Sequence, residues 1–439
     1  MLCLLAVILG CMVAGGVFFR KGRLLAHRVV SLLLVASVLL PAIPVPGFPD
    51  VRLELILVLV SWGLLLLSHL ATGQPIRFHR DPVYKWFALF GLAILFSMTY
   101  ASLVKDYPPI GRDFWELGKL LEYLLIFALV ANLDISSIYI RSCYNTTLVV
   151  FLCSALFGLA QYLNLGSINT VVSPYYAPTK AQGILLSGRI TGTMGNPNEF
   201  GALMVLAFSL SLSGVMVFQQ KRLRLFLWGC LAVFGLTIVL TGSRSSLVAL
   251  GVAIIFILLK FPTLIKGRRI VQIGGRVIIG LVVIGLLVVT LAPAASFSRF
   301  IELTNISSAT SWQARVKLWR DTLALWKLSP LFGWGPGKST MTTDVDNEWL
   351  LLLRRYGIVG GLIFCCWFLA FYRGLSRIRR NTLSAEVKAL ALTLQATFVS
   401  YAVYMIPAGV YHDLQLMPVI MVLLGVAYSQ KHRLEVNGT

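Results

Sequence analysis

The sequence predicts an all-α, polytopic integral membrane protein, and three observations carry that reading. Of 439 residues, 58% are hydrophobic and 13% charged, with a mean hydropathy of +0.83. One water-soluble globule cannot hide so much apolar surface, which excludes a soluble enzyme. The apolar residues come in long runs, and a span of about 20 residues with its connection uses roughly 30 to 35, so the length holds about twelve to fourteen transmembrane helices. The formal net charge is +21, and in a membrane protein such an excess marks the face it lies on before it suggests nucleic acid.

Thirteen runs qualify as spans, giving about 12–13 transmembrane helices in a single membrane domain over residues 1–439. They cover Met1 to Phe19, Val29 to Ile43, Leu53 to Leu70, Tyr84 to Leu103, Leu117 to Leu133, Cys143 to Leu163 and Glu199 to Phe218. Leu225 to Leu240, Ser245 to Leu259, Val277 to Leu291, Leu350 to Tyr372, Ala389 to Ile406 and Leu414 to Tyr428 follow. Met1 to Phe19 also resembles a signal-peptide core, but no basic residue precedes it, so it is read as a span. Alternate connections, among them FRKGRLLAHR, KFPTLIKGRR and RGLSRIRRN, hold 23 of the 38 Lys and Arg but only Asp81, Asp134, Glu386 and Glu435 of the 17 acidic residues. That side is cytoplasmic by the positive-inside rule, so the amino terminus is expected outside and the carboxyl terminus inside. The seven cysteines lie in or beside apolar runs without metal-ligand spacing, and read as small apolar residues.

Two outward connections, 166–198 and 292–348, are too long to be plain turns. In the second, Trp312, Val316, Trp319, Leu323 and Trp326 recur at spacings of 4, 3, 4 and 3, which places them on one face of a helix over 312–328. Lys317 and Asp321 fall opposite, with Arg315, Arg320 and Lys327 at the borders, a pattern for a helix at a membrane surface or over a cavity. Ser329 and Pro330 end it and the glycine-rich LFGWGPG follows.

Four outward elements could carry chemistry. In TGSRSS, a short connection fixes Arg244 near the membrane surface, where a guanidinium can pair with two phosphate oxygens. Ser243, Ser245 and Ser246 start the next helix and add hydroxyls and free N–H groups to the same anion site. The alternative is an interfacial anchor for lipid headgroups. Arg189 precedes the Asn196-Pro197-Asn198 turn, with Asn198 as N-cap of a helix from Glu199; turn and cap alone would also explain these residues. Arg315 and Arg320 on the amphipathic helix would face a cavity rim or headgroups. Asp346, beside Asn347, is an outward carboxylate able to act as general base toward a hydroxyl, or simply an N-cap. His412, Asp413, Glu116, Lys119 and Glu122 are assigned to helix-end pairing. No P-loop, paired His and Cys ligands, carboxylate cluster or GxSxG elbow is present, so neither metal nor cofactor is expected.

These elements, in this order, resemble the bacterial O-antigen ligase and polymerase family, membrane enzymes acting on polyprenyl-diphosphate-linked glycans. GNPNEFGAL, the Ser243-Arg244 pair, Arg315 to Trp319 leading into SPLFGWGPG, and Asn347 followed by Gly357 and Gly360 carry the resemblance, over about Arg189 to Gly361. It implies a fold similar to the GT-C class, with the donor diphosphate held by Arg244 and Arg315 and substrate contacts from Arg189, Asn196, Asn198, Ser243, Asn347 and Arg320. The ligases carry His at the position of Asp346, so the departure here leans the reading to a polymerase of O-antigen or exopolysaccharide. Neutralising the departing diphosphate is the main catalytic task and arginines can do it without a metal, with Asp346 as base and inversion at the anomeric carbon.

The partners implied are a polyprenyl-diphosphate-linked glycan donor, a glycan or lipid-glycan acceptor and membrane lipid, with a chain-length regulator or flippase alongside, in the bacterial inner membrane; nucleic acid is not needed. Two alternatives stay open. One is an O-antigen ligase using lipid A core or another acceptor. The other is a transporter or flippase for a lipid-linked or anionic solute, which would show broken helices and midplane charges.

Overall fold

The computed structural model describes residues 19–20, 23–24, 26–43, 51–72, 81–133, 135–176, 188–260, 275, 310–338, 341 and 345–437. Two short strands, β1 (Phe19–Arg20) and β2 (Arg23–Leu24), pair antiparallel. Otherwise the described chain is helical: α1 (Ala26–Leu39), α2 (Leu53–Thr72), α3 (Pro82–Lys105), α4 (Trp115–Ala131), α5 (Ser137–Tyr162), α6 (Pro197–Val217), α7 (Lys221–Leu240) and α8 (Arg244–Lys260) are followed by α9 (Thr310–Lys327), α10 (Glu348–Asn381), α11 (Ala385–Tyr404) and α12 (Leu416–Asn437).

Eleven of the thirteen apolar runs fall on these helices. The other two, Met1 to Phe19 and Val277 to Leu291, lie outside the described residues except for Phe19, as do Cys3, Cys11, the middle of the 166–198 connection and residues 292–309. Six helices (α3, residues 139–162 of α5, α6, α7, α10 and α11) are long and apolar enough to cross a membrane, and shorter apolar helices cover Ala26–Leu39, Leu53–Leu67 and Leu416–Lys431. The protein is thus an all-α polytopic membrane protein.

The helix α6 is its axis. It is apolar all round, the composition of a helix with no lipid-facing side, and nearly every residue from Phe200 to Met216 is buried. Around it pack α7, α8 and α11, while α10 lies against α3 and α11, and α4 against α12. Small residues permit the close approach: a Cβ on Gly201 would lie 2.3 Å from Ser246 Oγ of α8. Phe90, Phe364, Trp367 and Tyr411 form an aromatic knot between α3, α10 and the turn before α12, with ring centroids 5.4 to 6.2 Å apart; Phe90 stacks on Trp367, and Tyr411 meets the other three edge-to-face. At one end of the bundle Lys431 of α12 pairs with Asp81, the N-cap of α3, at 2.6 Å.

The sequence run Leu350 to Tyr372 reads as one continuous span, but α10 is broken within it. Gly357 has φ 64° and ψ −170°, which releases the next two N–H groups from the helix. Ile358 and Val359 donate instead to Pro330 O and Leu331 O at 2.8 and 3.1 Å, so the turn after α9 completes the helix from outside. A Cβ at residue 357 would sit 2.1 Å from Leu331 O, and one at Gly333 2.4 Å from Arg355 O. Both glycines also have positive φ, so the motif spacing between SPLFGWGPG and Gly357 is a backbone-to-backbone fit.

Candidate functional site

The Asn-Pro-Asn turn caps α6, two residues earlier than its sequence suggests. Asn196, not Asn198, is the N-cap: its side chain accepts from Asn198 N at 2.9 Å and Pro197 takes the first helical position, where no N–H is needed. That frees the Asn198 side chain, whose Oδ1 accepts from Arg189 Nη2 at 3.0 Å, while Arg189 Nε donates to Thr241 O at 2.7 Å. Ser243 Oγ accepts from Ser246 Oγ at 2.8 Å, and Ser246 Oγ also lies 3.5 Å from Asn198 O. The turn before α6 and the turn before α8 are therefore stitched into one unit. Arg244, half-buried, is the first residue of α8 on this unit.

The second half of the site is built by α9. The apolar stripe Trp312, Val316, Trp319, Leu323 and Trp326 is half-buried, and so are Leu318 and Leu325 beside it, with Thr322 buried. Trp319 Nε1 donates to Val345 O at 3.2 Å, and Trp334 Nε1 to Leu325 O at 2.8 Å. This docking brings Arg315 Nε to 3.1 Å from Asp346 Oδ2. Asp346 is not the cap of α10; Asn347 is, accepting from Leu350 N at 3.0 Å, a contact worth about 1 kcal/mol. Asp346 has φ 48°, a left-handed backbone that Asp tolerates better than most residues, and its carboxylate is 51% exposed.

One cavity of about 440 Å³ is lined by Asn196 and Asn198 from the first half and by Asp346 and Asn347 from the second, with Glu348 and His412; Arg189, Ser243, Arg244 and Arg315 lie outside its lining. Asp413 also lines it; burial pushes that carboxyl above its usual range, although its Oδ1 accepts from Gln415 N and Leu416 N at 2.7 and 2.9 Å. Arg320 is not part of this wall. It is exposed and lines a separate groove with Trp312, Val316 and Lys317.

Behind the cavity lies a buried ionic cluster in which the expected helix-end pair of Glu116 and Lys119 is present but is joined by residues from other elements. Glu116 is fully buried and meets Lys119 at 2.8 Å, Lys338 at 2.7 Å, and Arg355 and His412 at 3.3 Å. His412 Nδ1 pairs with Glu348, its Nε2 accepts from Arg355, and Glu348 Oε2 takes the N–H of Val410 at 2.9 Å. Residues from α4, the turn after α9, α10 and the turn before α12 thus meet at one point. In the sequence only Glu116 and Lys119 share a local i,i+3 pattern; nothing local links them to Lys338, Arg355, His412 or Glu348.

Residues 229–365 match a family model described as O-antigen ligase. The matched segment contains Arg244, Arg315, Asp346, Asn347 and Gly357, whereas Arg189, the Asn-Pro-Asn turn, Glu116 and His412 lie outside it. No curated protein matches the chain.

Proposed function

We propose, from this O-antigen ligase family segment, which supports a membrane glycan-processing enzyme, that the protein transfers glycan from a polyprenyl-diphosphate donor to a glycan acceptor at the outer face of the plasma membrane. The observation that carries the reading is the Arg315–Asp346 pair at the cavity shared with the Asn196 and Asn198 turn. Among the described residues the pair uses Arg315 Nε, an arrangement in which the terminal guanidinium nitrogens can meet phosphate oxygens. In the reaction, the acceptor oxygen forms a bond to the anomeric carbon as that carbon's bond to the diphosphate oxygen breaks. The hydroxyl proton goes to Asp346, and Arg315 and Arg244 hold the departing polyprenyl diphosphate. Attack opposite the leaving group inverts the anomeric centre. Arg189 acts at one remove by orienting Asn198, and Ser243 by ordering the start of α8. The carboxylate at residue 346 favours a lipid-linked glycan as acceptor, making the enzyme a polymerase.

A transporter of an anionic lipid-linked solute is the second reading, favoured by the break in α10 at Gly357 and the buried Arg354 and Arg355 beside it. Protein reconstituted in liposomes with polyprenyl-diphosphate glycan separates the two. A ladder of lengthened lipid-linked glycan, lost in Arg244→Ala and Arg315→Ala, supports transfer; movement of the lipid across the bilayer with no new glycosidic bond refutes it.

A further inference from the structure

A second cavity, of about 390 Å³, lies between the starts of α2 and α4 and shares His412 with the wall of the first. Its two ends differ. At the helix starts it is lined by Arg52, Lys119 and Lys338, from three separate elements. The carboxylates that pair with them, Glu54 and Glu116, stand behind them and outside the lining. Each ammonium has three donors, and Glu116 takes one from each lysine, so the carboxylate fixes the cations while leaving donors for a ligand. The first turns of α2 and α4 add the positive ends of two helix dipoles.

Toward the middle of the bundle the wall becomes Leu55, Leu59, Leu121 and Leu125, and Lys119 to Leu125 is about 9 Å along a helix. Leu59 and Leu121 are 55% and 54% exposed, so the cleft opens sideways toward lipid. One acid interrupts the basic end: Glu122, whose Oε1 is buried and has no hydrogen-bond partner among the described residues. Such an oxygen asks for an O–H donor.

We propose that this cleft binds a lipid with a phosphate headgroup that also carries hydroxyls, as a glycerol or sugar phosphate does. The phosphate sits between Arg52, Lys119 and Lys338, a headgroup hydroxyl donates to Glu122, and the chain runs along Leu55, Leu59, Leu121 and Leu125. The site is separate from the Arg315–Asp346 cavity and stands whether or not the transfer reading does.

The test is native mass spectrometry of the full-length protein released from vesicles of equal parts phosphatidylglycerol and phosphatidylcholine. Wild type is expected to retain phosphatidylglycerol in preference by about tenfold or more, since each basic side chain near a headgroup contributes about 1 kcal/mol. The paired variant Lys119→Gln with Lys338→Gln is expected to lose that preference. Because that variant disturbs Glu116, Leu121→Trp serves as the second probe: it fills the cleft without touching the ionic cluster and is expected to abolish retention. Equal retention of the two lipids by wild type, or undiminished retention in Leu121→Trp, overturns the proposal. So does soluble glycerol phosphate competing as well as the lipid, which would leave the apolar wall without a role.

Discussion

Two clusters of charge lie within one end of the bundle, and they differ in what surrounds them. Around Glu116, each carboxylate oxygen faces a cation and the carboxylate itself is fully buried. Around Asp346, one carboxylate meets one guanidinium, half in the open, on a left-handed backbone beside a cavity. A charge caged by four partners cannot exchange them for a substrate without a large penalty, so the first cluster is a strut between four chain segments. A single exposed ion pair gains little from its own contact and gives it up readily, which suits a group that must engage phosphate or a proton in turn.

That contrast predicts opposite phenotypes. The largest effect is expected from Asp346→Asn and Arg315→Ala, which should lower glycan transfer by about 10² to 10⁴-fold while leaving the thermal midpoint in detergent close to wild type. Next, Glu116→Ala strands Lys338, Lys119 and Arg355 in a buried site and should destabilise the fold by about 3 to 5 kcal/mol, read as a fall in thermal midpoint and in membrane yield. If Glu116→Ala kept full stability but lost transfer, the cluster would belong to the chemistry and the contrast would fail.

Gly357→Ala should follow, because its methyl group would strike Leu331 O at a positive φ; a cost of about 1 to 3 kcal/mol would show as protease sensitivity at the turn after α9. The smallest effect belongs to Arg320→Ala. With its side chain exposed on a groove away from Asp346, it should change transfer by no more than about twofold, a surface substitution. A large loss there would mean that substrate reaches across α9.

The helices were legible in the sequence because each needs one local property, an apolar run bounded by charge or proline, and eleven runs fall on helices. The four motif elements were also legible one at a time, since a capping Asn or a glycine turn is a local signal. Their mutual placement was not. Nothing near Glu116 announces Lys338, Arg355 or His412, because the pairing arises only when α4, α10 and two turns come together. The cap on α6 moved by two residues because Pro197 at the first helical position outcompetes a start at Glu199. The contacts that fix α9 were legible only in part: Trp319 lies on the apolar stripe, but its indole N–H bond to Val345 O and that of Trp334 to Leu325 O are not registered by an apolar count.

The most direct test compares Asp346→Asn with Glu116→Gln in one preparation, measuring single-turnover glycan transfer per folded molecule in liposomes. The division of the two clusters into chemistry and support predicts that Asp346→Asn is folded and nearly inactive, and that Glu116→Gln yields less folded protein of near-normal specific activity. Full transfer by folded Asp346→Asn would contradict it.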